Sequence, residues 1–395
     1  MNNSKILFLL SSNLFHRNYV ETGVIDSVSS KFDEVVILAD ESVKEINSER
    51  VLRYSYPVKR KQRHFQFLKI LSWRHRKLSK TFKFRFYRVA QYTKIKLNTK
   101  QLIEGIKANL SSAIRRLKII SLGSRMIFPI ANFIFRRILS PYSLFTEILQ
   151  KERPDLIVIP SSAYDPAVLD VLNSSKKLGI KTLMLIDNWD NLSSKSVLWV
   201  HSDRIAVWGP QTAEHAQHIQ GFNPDSISCI GTPRFDGYFQ YRDQELRSHF
   251  DFKYILFVGQ SLPADEFSIL KNVNDLIQSD ENLKNSIKLV YRPHPWAMHR
   301  DPIDLSSLSS VVLDPQIEYD FSSSDEPEKF QPSLAYYPSL LKNSEFVISM
   351  LTSMLIEASI FRKRVIAICH EELDNYTSPH RLLTEYVHFE GISKL

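Results

Sequence analysis

The chain has 395 residues, of which 43% are hydrophobic and 24% charged, so we expect a folded protein of two or three domains rather than a disordered chain. Its two cysteines, Cys229 and Cys369, exclude a disulfide framework and favour a reducing compartment. No apolar run approaches the roughly 20 residues of a membrane-spanning helix, and the N-terminal run at residues 6–10 is too short for a secretory signal.

The net charge of +8 hides a strong division within the chain. Residues 59–137 contain 22 lysines and arginines and a single acid, Glu104, whereas the remainder is acidic. We therefore expect a localised anionic partner for this basic segment. The ten glycines form neither a GxGxxG nor a P-loop motif, so any phosphate must be held by side chains or helix N-termini.

Short apolar strands alternate with helical segments in two series along the chain. The first series has predicted strands at residues 5–12, 34–40, 153–162, 181–188, 203–209 and 226–236. The second has predicted strands at residues 254–261, 287–295, 311–315, 346–350 and 364–370. This pattern predicts two doubly wound, parallel α/β domains, residues 1–240 and 250–395, with a basic amphipathic helical insertion at residues 59–140 in the first.

Ligands of such sheets bind at the carboxyl ends of the strands, which singles out two motifs of the second domain. Arg292 and His294, in the motif YRPHP, suit the neutralisation and protonation of a departing phosphate. An ordinary strand-ending turn with a surface histidine is the alternative.

The second motif supplies hydroxyl groups at a predicted helix start and an acid one turn later, for anion and ribose binding. An ordinary capped helix is the alternative. Its residues are Ser349, Thr352, Ser353 and Glu357.

These two motifs together resemble the C-terminal domain of GT-B-fold glycosyltransferases. The resemblance is to the bacterial surface-polysaccharide and CDP-glycerol glycerophosphotransferase-like group. It implies two Rossmann-like domains facing a central cleft, with the nucleotide of the donor on the second. The glycerophosphotransferase motif has Asp and Tyr where this chain has Met350 and Leu351, and Asp where it has Glu357. That departure counts against a polyol-phosphate donor, while the retained hydroxyls and acid fit a nucleotide.

Two loops of the first domain are candidates for the acceptor side. Asp187, Asn188 and Asp190 belong to a DNWDNLSSK stretch that resembles a segment of surface-carbohydrate transferases, with Asp190 or Asp187 as a candidate base. A capping turn before a helix is the alternative. His16, flanked by Arg17 and Asn18, is the rival base after the first strand, unless it is a surface residue. The motif GTPRFD at residues 231–236 resembles a segment that closes the first domain, and we interpret it as a hinge and cleft wall.

The sequence predicts no metal site and no cofactor. His215 and His218 share a predicted helix without a carboxylate or cysteine at ligand spacing, so we interpret them as surface residues. The resemblance also implies metal independence and a nucleotide-sugar donor linked to CMP, CDP or UDP.

Aromatic and aliphatic side chains interleave with the cations of residues 59–137, which favours the interface of an anionic bilayer. Nucleic-acid binding is the alternative. Part of the segment must also serve the fold, with aromatic side chains in the core and basic side chains on a solvated face.

We therefore expect an inverting, metal-independent glycosyltransferase. The expected activity is transfer of a sugar from a nucleotide-activated donor to a membrane-linked glycan of surface-polysaccharide biosynthesis. We expect the enzyme to be cytoplasmic and peripheral on the inner face of the cell membrane. A CDP-dependent polyol-phosphate transferase and a nucleotide-sugar 2-epimerase of the same fold are alternatives, and an anionic-polymer binding protein is an outside one.

Overall fold

The computed structural model describes residues 4–48, 50–88, 99–294, 302–317, 333–373 and 375–390, with helix backbone only at 88 and 99–110. The chain divides into two compact units, each with its own parallel sheet. Unit 1 comprises Met1–Thr232 and Glu385–Leu395, and unit 2 comprises Pro233–Thr384. The sequence prediction put the boundary between residues 240 and 250 and gave the whole C-terminus to the second domain, so the structure differs from it in both respects.

Unit 1 has a seven-stranded parallel sheet in the order β3-β2-β1-β4-β5-β6-β7. Its strands are Lys5–Leu10 (β1), Glu34–Asp40 (β2), Val51–Tyr54 (β3), Leu156–Ser161 (β4), Lys181–Ile186 (β5), Arg204–Val207 (β6) and Ile227–Cys229 (β7). The strand order reverses between β1 and β4. A ligand crevice is expected at the carboxyl ends of those two strands.

The helices of unit 1 are Asn13–Phe15 (α1), Val24–Ser29 (α2), Val58–Arg74 (α3), Lys80–Arg88 (α4), Thr99–Leu122 (α5), Phe128–Ile138 (α6), Ser143–Glu152 (α7), Pro166–Leu178 (α8), Asn191–Ser194 (α9) and Pro210–Glu214 (α10). Two π-helical turns, His16–Val20 and His215–Ile219, extend α1 and α10. Short 3-10 turns occur at Pro224–Ser226 and Val387–Phe389.

Continuous apolar strands bury both faces of this sheet. Leu7 and Leu9 pack into one core, where Phe145 of α7 and Val168 of α8 cover the sheet. Alternate residues such as Phe8 point to the opposite face and pack under the helices after β1. This two-sided burial explains why the strands have no apolar–polar alternation.

Part of the basic segment belongs to the core of unit 1. Phe67, Leu68 and Leu71 of α3 pack against Leu169 of α8. Next to Leu169, the buried carboxylate of Asp170 accepts hydrogen bonds from three side chains of the α3 region. These are Arg60 (2.7 Å from Nη2), His64 (3.1 Å from Nε2) and Tyr56 (2.6 Å from the hydroxyl). Burial would raise the pKa of Asp170, but these partners outweigh it and hold that pKa below its ordinary value.

The later helices of the basic segment expose apolar side chains instead. These side chains lie on α5, on α6 and in the turn between the two helices. They are Ile114, Leu117, Ile120, Met126, Ile127, Ile130, Phe133, Ile134 and Ile138. Residues 89–98 of the segment lie outside the described part of the chain.

Unit 2 has a five-stranded parallel sheet in the order β10-β9-β8-β11-β12. Its strands are Lys253–Val258 (β8), Ile287–Arg292 (β9), Val311–Leu313 (β10), Val347–Ser349 (β11) and Val365–Ala367 (β12). Its helices are Asp236–Arg242 (α11), Glu266–Ser279 (α12), Glu281–Lys284 (α13), Tyr336–Lys342 (α14), Met354–Ile360 (α15) and Pro379–Glu385 (α16), and a 3-10 turn spans Pro233–Phe235. Here the strand order reverses between β8 and β11, so the expected crevice lies at the ends of these strands.

Candidate functional site

The predicted donor motifs of unit 2 follow two strands that flank β8. His294 lies two residues beyond β9, and Thr352 lies three residues beyond β11. Neighbouring strands are about 4.8 Å apart, which places β9 and β11 about 10 Å from each other. The two motifs therefore share one edge of the sheet, on either side of the loop that follows β8. Pro295, the last residue of the YRPHP motif, lies outside the described residues.

A buried glutamine between these motifs was missed by sequence reasoning. Gln260, two residues beyond β8, is 2% exposed, and neither its Oε1 nor its Nε2 has a hydrogen-bond partner among the residues that the structure describes. A buried amide without partners costs about 1–3 kcal/mol, so this side chain is a candidate for completion by a bound group. No sequence signal distinguishes this residue, because a glutamine after an apolar strand is commonplace.

The loop after β8 is held by the carboxylate of Glu266. Its Oε1 accepts the backbone N–H of Gln260 at 2.8 Å, and its Oε2 accepts the hydroxyl of Tyr291 at 2.7 Å. A Cβ atom at Gly259 would collide with this carboxylate. Glu266 thus fixes the backbone from which the Gln260 side chain projects.

The predicted hydroxyl cluster forms, with Thr352 rather than Ser353 accepting the helix-start N–H. Thr352 Oγ1 accepts the N–H of Met354 at 3.2 Å, while Ser349 is fully buried and donates to the carbonyl of Met350 at 2.7 Å. Thr352 and Ser353 are both partly exposed. Since α15 has only seven residues, these two hydroxyls, rather than a helix dipole, are what this loop offers to an anion.

Glu357 is buried inside unit 2 and is not available to a ribose in this structure. It is 0% exposed, forms an ion pair with Arg234 and accepts the hydroxyl of Tyr238 at 3.0 Å. Burial, and then the Glu357 charge, raise the pKa of Tyr238 well above its ordinary value. The GTPRFD motif, which we interpreted as a hinge, therefore contributes a cation to the start of α15, a link that the sequence does not reveal.

Arg292 is likewise committed to internal partners. Its guanidinium is 4% exposed, forms an ion pair with Asp314, and donates to Gln316 Oε1 at 2.8 Å and to the Tyr337 hydroxyl at 3.1 Å. This network joins the ends of β9 and β10. Direct contact between Arg292 and a phosphate, as the sequence suggested, would require these bonds to break.

In unit 1 the structure joins the two rival acceptor loops. Asn18 Nδ2 donates to Asp187 Oδ1 at 2.8 Å, and Arg17 Nε donates to Asn18 Oδ1 at 3.1 Å. All three side chains are buried, at the carboxyl ends of β1 and β5. Burial, and then the Asp187 charge, raise the pKa of the adjacent Tyr19. The residues predicted to orient an acceptor thus form one polar network, separated by 169 positions in the sequence.

Of the candidate bases, His16 has the more suitable surroundings. Its Nδ1 lies 3.3 Å from Glu21 Oε1, so a carboxylate lies beside a ring that is otherwise buried (8% exposed). Asp190 instead opens helix α9. Its carboxylate accepts the Ser194 hydroxyl at 2.6 Å and lies 3.8 Å from Lys195 Nζ.

Burial would raise the pKa of Asp190, but Lys195 and its other partners outweigh burial and lower it, which makes this carboxylate a weaker base. Asn188 also serves the turn, because its side chain accepts the Trp189 N–H at 3.0 Å and its own N–H donates to Asn191. The capping-turn interpretation of the DNWDN stretch therefore accounts for both residues.

Two histidines close to this turn are buried. His215 is 7% exposed, whereas the sequence suggested a surface residue; His218 is exposed as expected. His388 packs edge-on against Trp189, with ring centroids 4.8 Å apart. Burial lowers the pKa of His215 and lowers that of His388 to about 4. Within the described residues, no group of three or more histidine, cysteine or carboxylate side chains is arranged to hold a metal ion.

Comparison with solved structures relates the architecture to known proteins. A Listeria monocytogenes protein assigned as a UDP-N-acetylglucosamine 2-epimerase aligns with a TM-score of 0.50 and 11% identity, over 99% of this chain and 89% of its own. The fold is GT-B-like. The predicted fold class and the predicted resemblance are confirmed at this level.

Two further structures align less well. MnaA of S. aureus, in a co-structure with UDP, gives a TM-score of 0.49 at 11% identity and covers 98% of this chain and 90% of its own. The glycosyltransferase SnogD from Streptomyces nogalater gives 0.43 at 11% identity, covering 97% and 85%. Neither a protein-family model nor a curated protein sequence matches the chain. Among the described helices, none combines the length and the hydropathy needed to cross a bilayer.

Proposed function

We propose that this protein is a metal-independent, inverting glycosyltransferase that transfers a sugar from a nucleotide donor to a membrane-linked glycan of surface-polysaccharide biosynthesis. The observation that carries the proposal is the unpartnered, buried amide of Gln260 at the reversal point of the unit 2 sheet. Sheets of this kind bind nucleotides at that point. An amide that can donate and accept there suits a nucleotide such as CMP, CDP or UDP.

In this proposal the donor contacts side chains from three loops of unit 2. Gln260 binds the nucleotide, and Thr352 and Ser353 hold its phosphate through their hydroxyls. His294 stabilises the phosphate as it leaves. Arg292 and Glu357 act indirectly, because each is buried in an internal ion pair that positions a loop of this edge.

On the acceptor side we assign the base to His16. Its Nε2 removes the proton from the acceptor hydroxyl while that oxygen bonds to the anomeric carbon of the sugar. The bond between that carbon and the phosphate oxygen breaks, and its electron pair leaves with the nucleotide. Glu21 stabilises the imidazolium, and the Arg17–Asn18–Asp187 network orients the acceptor.

A nucleotide-sugar 2-epimerase is the second candidate, because the Listeria structure of the same fold carries that assignment. An epimerase acts on a soluble nucleotide sugar and needs no apolar surface. The exposed apolar side chains of α5 and α6 therefore favour a transferase. The reaction product distinguishes the two enzymes. An epimerase inverts the configuration at C2 of the sugar in UDP-N-acetylglucosamine without an acceptor, whereas the transferase moves labelled sugar from the nucleotide into a lipid extract.

The variant Gln260→Leu tests the donor site, because it replaces the amide by an apolar group of similar size. We expect its unfolding temperature to be unchanged or higher, since an unsatisfied amide is lost, and its affinity for CDP or UDP to fall about tenfold. Thermal shift with CMP, CDP, UDP and GDP measures both quantities. His218→Ala, an exposed residue of unit 1, is the inert control. Unchanged nucleotide affinity in Gln260→Leu would remove the observation on which the proposal rests.

A further inference from the structure

A cavity of about 380 Å³ lies among the helices of the basic segment in unit 1. Its floor is apolar and largely aromatic, with Trp73 of α3, Phe82 of α4 and Ile119 of α5 among the lining residues. Its volume falls within the range of small-molecule sites. Because α3 is fixed to the core of unit 1, this cavity is part of the folded unit.

The rim of the cavity is cationic, and no acid is among the described residues that line it. Lys69, Arg115, Arg116 and Lys118 all line it, and none of them forms an ion pair with a carboxylate of the described residues. Among the described residues, Arg115 and Arg116 donate to serine oxygens of their own helix. The Nε of Arg116 is buried without a partner. Partial burial, and then the charges of Arg115 and Arg85, lower the pKa of Lys69.

Crowded like charges of this kind repel one another unless an anion lies between them. An anion that only needed charge would bind equally well at an open surface. An apolar floor beneath the cations adds a second requirement, for a ligand with a hydrophobic portion attached to its anionic group.

The cavity extends to the edge of the unit 1 sheet at which the acceptor candidates lie. Tyr164, three residues beyond β4, and Lys195, at the end of helix α9 in the connection that follows β5, also line it. Asp187 follows the same β5 strand. On the other side, α5 and α6 carry the exposed apolar side chains described above. The cavity thus lies between an apolar surface and the polar edge of the sheet.

We propose that this cavity binds a phosphorylated lipid, with the phosphate among Lys69, Arg115 and Arg116 and the first part of the hydrocarbon chain on the aromatic floor. This inference rests on the proposed function, for which it names the acceptor class: a glycan carried on a lipid phosphate. A single-stranded nucleic acid would also meet cations and aromatic rings, but a cavity of about 380 Å³ suits one chain of a lipid better than a row of stacked bases.

Farnesyl monophosphate is the probe, with farnesol and inorganic phosphate as its two halves. We expect the full-length protein to bind farnesyl monophosphate at least about tenfold more tightly than either half, because both the charge and the chain contribute. Equilibrium titration followed by tryptophan fluorescence measures this, since Trp73 lines the cavity. Equal affinity for inorganic phosphate would overturn the proposal.

The double variant Lys69→Gln/Arg115→Gln should weaken binding of farnesyl monophosphate by about tenfold or more. Its matched control is Lys61→Gln/Arg63→Gln, which removes the same charge from exposed positions on α3 outside the cavity and should leave binding unchanged. Equal losses in the two variants would reduce the effect to general electrostatic attraction and overturn the site. So would a single-stranded RNA oligonucleotide that binds in competition with the lipid and more tightly than it.

The nucleotide thermal shift of the cavity variant keeps the two proposals apart. If Lys69→Gln/Arg115→Gln retains its response to CDP or UDP while losing farnesyl monophosphate, both the cavity and the donor site are supported. If the wild-type protein binds farnesyl monophosphate but no nucleotide, the lipid site stands and the transferase proposal falls. If it binds nucleotide but no lipid phosphate, only the present inference falls.

Discussion

Glu266 shows how one buried carboxylate organises the donor edge of unit 2. Its two oxygens are shared between the backbone N–H of Gln260 and the hydroxyl of Tyr291, so it ties the loop after β8 to strand β9. Burial, and then the Glu266 charge, raise the pKa of Tyr291 above its ordinary range and keep the phenol protonated as a donor. The absence of a side chain at Gly259 is what lets the carboxylate approach this closely.

Gly259→Ala should therefore displace Glu266 and loosen both bonds. We expect a loss of about 1–3 kcal/mol in the free energy of unfolding and weaker binding of CDP or UDP, since the backbone under Gln260 shifts. Urea unfolding and nucleotide titration measure the two effects. Gly237→Ala is the matched control, because an added Cβ there meets only Tyr241, at 3.8 Å, and alanine suits a helix better than glycine. If both alanine variants behave alike, the close approach of Glu266 has no energetic consequence.

Individual site residues could be predicted from the sequence only where position alone identifies them. His294 and Thr352 were predicted correctly as residues at the end of a strand, because a buried strand followed by polar residues is visible in the chain. The pairing of Glu357 with Arg234, 123 positions away, could not be predicted, because a local pattern carries no information about tertiary partners. The same limit concealed that Arg292 faces Asp314.

At the scale of elements, the strands were the most predictable parts. The apolar runs predicted at residues 34–40 and 181–188 correspond to β2 and to β5, which ends two residues earlier, because both faces of the sheet are buried. The return of the C-terminus to unit 1 was not predictable. It depends on tertiary contacts of a short turn, Val387–Phe389, in which Thr81 accepts the Val387 N–H at 3.0 Å and His388 packs on Trp189.

This returning turn should make the stability of unit 1 depend on pH. His388 is 4% exposed, and burial lowers its pKa to about 4, whereas an unfolded histidine has a pKa of about 6.5. Between these two pKa values, the His388 imidazole is protonated in the unfolded chain and neutral in the folded one. The contribution of the neutral ring is therefore complete above about pH 6.5 and is lost as the pH falls towards 4, by at most roughly 3 kcal/mol.

His388→Phe keeps a ring in this position but cannot be protonated, so we expect a shallower decline of the urea midpoint between pH 7 and pH 4. His380→Phe, at an exposed position in unit 2, should retain the wild-type slope. His215, whose pKa burial also lowers, accounts for part of the slope that remains in His388→Phe. Identical slopes in His388→Phe and wild type would show that the turn does not respond to protonation.

At the scale of the molecule, the order of strands and helices was enough to predict two parallel α/β units. What it could not predict was how the basic segment divides. Its composition is uniform, yet α3 packs into unit 1 through Phe67 and Leu71, whereas α6 leaves Ile130 and Phe133 exposed. Which aromatic side chains find partners depends on the neighbouring α8, which lies far away in the sequence.

The exposed apolar side chains of α5 and α6, with the cations around them, should bind the protein to anionic bilayers. We expect flotation with vesicles that contain phosphatidylglycerol, weakened by salt because the attraction is screened over about 10 Å at 0.1 M. Ile130→Ser/Phe133→Ser should lower the partition coefficient at least about tenfold, because the insertion of two large apolar groups is lost.

The matched control for this experiment is Ile230→Ser/Phe239→Ser. These side chains are 58% and 51% exposed, close to the 62% and 58% of the α6 pair, but they lie outside the basic segment. It should float like the wild-type protein. Equal binding to purely phosphatidylcholine vesicles would contradict electrostatic docking, and equal losses in both variants would contradict a specific surface.

The carboxylate of Asp170 has a mechanical consequence for such docking. Through Arg60, His64 and Tyr56 it fastens α3 to the helix that backs the unit 1 sheet. A lipid surface that binds the basic helices therefore also restrains the sheet, and the rotation of unit 1 relative to that surface is restricted. The loop that carries His16 is then held at a fixed height and inclination above the headgroups, and the search for a substrate becomes a two-dimensional one.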